Sequence, residues 1–81
     1  MVLKQSRHFQ DRMQDRSLDF DHVKKAIRNP DTKKKIADSN KIKVTKKIDS
    51  KRIIEVVYYK DEFKTNKEDT YVLITAYYIK I

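Results

Sequence analysis

The chain has 81 residues, neither cysteine nor glycine, and 20 Lys and Arg against 12 Asp and Glu, a formal charge of +8. That length holds one domain with one modest core, so residues 1–81 are read as a single domain and two-domain enzymes are excluded. Disulfides, thiolate chemistry, iron–sulfur clusters and Gly-rich phosphate loops are excluded by the missing residues, and the charge calls for an anionic partner.

From Lys4 to Arg16 there is no strand alternation, and Phe9 and Met13 stand four apart, which predicts a helix with a short apolar stripe. Ser6 is placed to cap it. His8, Arg12 and Arg16 recur at the same spacing and form a second, cationic stripe beside the first. A second helix is signalled by Asp19 as N-cap, with Leu18 before the cap able to staple onto Val23, and Phe20, Val23, Ala26 and Ile27 as its buried face. Arg28, Asn29 and Pro30 stop it.

After Pro30 the period changes to two. Thr32–Ala37 reads as a Lys-blunted edge strand and Lys41–Ile48 as a cleanly alternating one, followed by the β-branched and aromatic runs Arg52–Tyr59 and Tyr71–Ile79. Turns are expected at Ser39-Asn40, Asp49-Ser50 and across Asp61–Asp69. In the last run Leu73, Thr75 and Tyr77 share one face and Val72, Ile74, Ala76 and Tyr78 the other. Both sets contain tyrosine, which leaves the core face open. The expected fold is α+β, two N-terminal helices packed on a four-stranded antiparallel sheet.

Three features carry chemistry. His8, Arg12 and Arg16 suit a phosphodiester, the guanidiniums forking onto its oxygens while the imidazole moves a proton near neutral pH. On spacing alone they better suit a solvated helix face in which Asp11 and Asp15 pair with neighbouring arginines. Thr75 and Tyr77 offer a hydroxyl and a phenol for a phosphate or a stacked base, although both are also simply good strand residues. Lys33, Lys34 and Lys35, with Lys41, Lys43, Lys46 and Lys47, can serve as a track for a polyanion or as solubility and edge protection. His22 falls in the first turn of the second helix, where the dipole disfavours protonation, and is set aside. No metal-ligand spacing is present and no cofactor is expected.

Ser6-x-His8-x-x-x-Arg12-x-x-x-Arg16, then Leu18, a helix ending at Asn29-Pro30, a strand opening at Arg52 and a final Val72-Leu-Ile-Thr75-Ala-Tyr77 together resemble the domain of unknown function 4258 family, over nearly the whole chain from Ser6 to Ile79. That family is similar to the small metal-independent RNase superfold of barnase, EndoU, the colicin nucleases and the RelE-type toxins. The resemblance implies a cleft lined by His8, Arg12, Arg16, Arg52 and Thr75 or Tyr77. The position after Arg16 is often glycine in this family and here is Ser17.

The expected function is a toxin-like endoribonuclease. His8 acts as general base or acid, Arg12, Arg16 and Arg52 stabilise the phosphorane, and Thr75 or Tyr77 orients the phosphate. Lys33, Lys34, Lys35, Lys41, Lys43 and Lys47 extend the nucleic-acid contact. The alternatives are a non-catalytic RNA- or DNA-binding module and a toxin-like fold that engages an acidic antitoxin or another acidic protein. A cytoplasmic setting is expected, because the longest uncharged stretch is too short to span a bilayer and Lys4, Arg7 and Asp11 interrupt any signal peptide. Oligomeric state is left open.

Overall fold

A computed structural model describes residues 2–61 and 69–81. Its elements are β1 (Val2–Gln5), α1 (Arg7–Asp15), α2 (Phe20–Arg28), β2 (Thr32–Lys35), β3 (Lys41–Lys47), β4 (Arg52–Lys60) and β5 (Thr70–Lys80). The strands form one five-stranded sheet in the order β1-β5-β4-β3-β2. The meander β2 to β5 is antiparallel, whereas β1 lies parallel to β5 with Val2 opposite Thr70 and Gln5 opposite Leu73. The four-stranded antiparallel sheet expected from the sequence is therefore corrected to a five-stranded mixed sheet, still α+β.

The reason lies in the first five residues. Val2-Leu3-Lys4-Gln5 is too short to display an alternation, and its extended state is imposed by its pairing with β5, beginning with Val2 N–H on the Asp69 carbonyl at 2.8 Å. The chain then turns directly into α1, so the helix read from Lys4 starts at Arg7.

Both helix starts are held as the sequence implies. The Ser6 hydroxyl accepts from Phe9 N–H at 3.1 Å and also donates to the Leu73 carbonyl at 3.1 Å, capping α1 and pinning it to β5. The Asp19 carboxylate accepts from Asp21 N–H at 2.9 Å. Between the helices the chain closes a Schellman turn: Leu18 N–H reaches the Met13 carbonyl and Ser17 N–H the Gln14 carbonyl. That turn holds Ser17 at φ 50°, in the left-handed region where glycine is the residue without penalty. The second left-handed residue is Asp38 at φ 59°, in the turn joining β2 to β3.

One face of the sheet is covered. Phe9 from α1, Leu18, and Val23, Ala26 and Ile27 from α2 bury against Val44, Ile54, Val56, Tyr58, Leu73 and Ala76. Burial pushes the Tyr58 phenol above its ordinary value, with Tyr71 adding to the shift. Leu73 and Ala76 are both fully buried although three residues apart, because the register of β4 against β5 slips between Val57 and Tyr58 and leaves Ile74 without an opposite residue. This bulge breaks both alternating sets read from the last run. Leu73, Ala76 and Tyr78 face the helices, while Thr75 and Tyr77 face the open side. The turn expected across Asp61–Asp69 lies, for residues 62–68, outside the described residues.

Candidate nucleic-acid interface

β1 pairs with β5 only as far as Leu73, so the outer edge of β5 beyond it has no strand alongside among the described residues. Arg16, the C-cap of α1, reaches this edge. Its guanidinium donates to the Ala76 carbonyl at 2.9 Å and its carbon lies 5.6 Å from the Tyr77 ring centroid. Arg16, Tyr77 and Tyr78 line an open depression of about 560 Å³. One guanidinium nitrogen is held by the backbone, and the guanidinium lines the depression together with both tyrosines. That arrangement suits a phosphate next to a stacked base.

The other members of the α1 stripe lie along the helix. Arg12 is half-buried and His8 exposed, and among the described residues neither side chain has a hydrogen-bond or ion-pair partner. At 1.5 Å per residue, His8 stands about 12 Å and Arg12 about 6 Å along the helix axis from Arg16. A phosphodiester beside Arg12 would therefore lie one turn from each. Arg52 opens β4 on the helix-covered side. Its carbon is 4.8 Å from the Tyr78 ring centroid, and its Nε and Nη2 both donate to Asp49 Oδ2, at 3.1 and 3.0 Å. Arg52 thus lies against Tyr78, which lines the Arg16 depression, and is not itself part of that lining.

Tyr77 turns to the open face, where its hydroxyl donates to Glu55, and Thr75 lies on the same face. Glu55 is a buried carboxylate with Lys43 Nζ at 3.8 Å. The sequence contained a signal for it, a lone acid inside the otherwise aliphatic and aromatic run Ile53–Tyr59. Of the lysine track, Lys34, Lys41, Lys43 and Lys47 alternate onto the open face, while Lys33 and Lys35 point to the helix side of the edge strand β2. The track is therefore split between two faces.

Sequence reasoning passed over His22 and Tyr78. The His22 ring meets the Tyr78 ring edge-on, with Nδ1 2.8 Å from the Tyr78 hydroxyl, and that hydroxyl also accepts from Asp19 N–H at 3.1 Å. Nothing local announces a contact spanning 56 residues. Among the described residues no three of His, Asp and Glu gather as a metal site, and no helix is long and apolar enough to cross a membrane.

A family profile described as "Domain of unknown function (DUF4258)" matches residues 5–78, from the end of β1 to Tyr78. The chain belongs to that family. No match was found among curated proteins or among solved structures. The matched span contains the Ser6 cap, the His8-Arg12-Arg16 stripe and both tyrosines of the depression.

Proposed function

We propose that this protein is a metal-independent endoribonuclease of the toxin type, cleaving RNA by attack of a 2′-hydroxyl on the adjacent phosphodiester. The observation that carries the reading is the depression walled by Tyr77 and Tyr78 with the Arg16 guanidinium held at its edge, at one end of a helix whose stripe continues through Arg12 to His8. Arg12 and Arg16 bind the phosphate and offset charge developing in the phosphorane. His8, exposed and without a partner among the described residues, takes the 2′-hydroxyl proton or protonates the leaving oxygen. The resemblance to small RNases read from the sequence is what brings this activity into view, as an analogy. The absence of cysteine fits a reducing cytoplasm, and an acidic antitoxin is the protein partner that a +8 toxin would take.

One observation favours a second reading. Nothing orients the His8 imidazole, whereas a positioned general base usually has a group fixing its tautomer. On that ground the same surface serves as a non-catalytic RNA-binding module. The two readings separate in an RNA cleavage assay with and without EDTA. The enzyme reading expects EDTA-resistant cleavage leaving 2′,3′-cyclic phosphate ends. Binding without cleavage leaves the module.

A further inference from the structure

His22, whose ring meets Tyr78, borders a second depression of about 250 Å³ together with Lys25, Lys46, Lys47 and Ile48. The register explains the gathering. Lys46, Ile54 and Tyr78 are opposite one another on adjacent strands and face the helices, and α2 lies over them with His22 and Lys25 one turn apart.

The Tyr78 hydroxyl, which accepts from Asp19 N–H, also engages His22 Nδ1, and this leaves Nε2 as the ring nitrogen for a ligand. Protonated His22 carries a hydrogen on Nε2, and neutral His22 does so in the tautomer whose Nδ1 accepts from Tyr78. The acid nearest Nε2, Asp19 Oδ2, is 3.9 Å away, too far for a hydrogen bond. The His22 side chain is 19% exposed and that of Lys46 24%, so both donors sit on a partly desolvated floor.

Of the acids nearby, Asp19 is engaged at the start of its own helix, and Asp31 pairs with Lys46, so a phosphate would share that ammonium with Asp31. Asp19 Oδ1 accepts from Asp21 N–H, and Asp31 Oδ2 accepts from Lys47 N–H at 2.7 Å while its Oδ1 is 3.4 Å from Lys46 Nζ. Arg52, the remaining cation against Tyr78, is tied to Asp49. Lys25 is exposed and has no ion-pair partner among the described residues.

We infer that His22 Nε2, Lys25 and Lys46 form a phosphate-binding subsite, separate from the Arg16 depression and joined to it through Tyr78, which takes a further backbone phosphate of the bound RNA. The subsite rests on the RNA reading for its ligand, and the experiment separates the two. NMR titration of the His22 imidazole is carried out on the intact chain, first with inorganic phosphate and then with an oligouridylate, with His8 followed in the same spectra. Phosphate facing Nε2 favours the imidazolium, so the His22 pKa rises with either ligand and rises less in Lys25→Gln. Lys25→Gln also lowers the salt slope of oligouridylate binding by about one, the change expected for one lost phosphate contact. If oligouridylate binds while His22 titrates unchanged with both ligands, the subsite is overturned and the RNA reading survives. If phosphate shifts His22 but no oligonucleotide binds, the phosphate site stands and its assignment to RNA is overturned.

Discussion

The Arg16 guanidinium donates to the Ala76 carbonyl at 2.9 Å, joining the end of α1 to a strand 60 residues later. One side chain thus satisfies a carbonyl of the free sheet edge and lines the depression. Its contribution to stability and its contribution to binding are separable by substitution.

Arg16→Ala removes a charge-assisted bond to an edge carbonyl that water can replace, so the expected loss of stability is about 0.5–1 kcal/mol, below the range of buried charge-assisted bonds. Arg16→Lys keeps the charge without the fork and is expected to recover stability more than RNA affinity. Urea denaturation and RNA titration of both variants check this.

Ser17→Gly is expected to stabilise the fold by about 1 kcal/mol, because Ser17 sits at φ 50° in the Schellman turn where a Cβ is penalised. The gain is partly offset by the extra backbone freedom of glycine in the unfolded chain. The shift in the denaturation midpoint measures it, and RNA affinity should not move.

Tyr77→Phe leaves the buried Glu55 carboxylate with Lys43 at 3.8 Å as its remaining partner, and an expected cost of about 1–3 kcal/mol follows from the lost bond. Adding Glu55→Gln removes the stranded charge and should return part of that loss. A thermal or urea double-mutant cycle on the two positions gives the coupling.

Asp31 and Asp49 both lie below the ordinary carboxylate value of 3.8. The largest cause for Asp31 is the Lys47 N–H, with Lys46 adding its charge; for Asp49 it is the Lys51 N–H, with Arg52 adding. A folded pKa below the unfolded one stabilises above the unfolded value, and that stability disappears as pH falls through the folded value. Stability should therefore decline below about pH 4. Asp31→Asn with Asp49→Asn should flatten the decline, as read from urea midpoints over that range.

Much of this was legible because it is local. The Ser6 and Asp19 caps, the Asn29-Pro30 stop and the alternation of Lys41–Lys47 are each written within a few residues. β1 was not, because four residues carry no period and their state is fixed by β5. The face of β5 was not, because the bulge at Ile74 changes the parity between Leu73 and Ala76. For the site, the i, i+4, i+8 stripe was visible, while the His22–Tyr78 contact and the split of the lysines between two faces depend on how α2 and the strands meet.

The central claim, that His8 moves the proton in RNA cleavage, is tested most directly by measuring cleavage rate and RNA affinity together for wild type and His8→Ala. Positioned proton transfer predicts a rate reduced by about 10² to 10⁴ with affinity nearly unchanged. Cleavage by His8→Ala at the wild-type rate, or no cleavage of any RNA by the wild type, would contradict it.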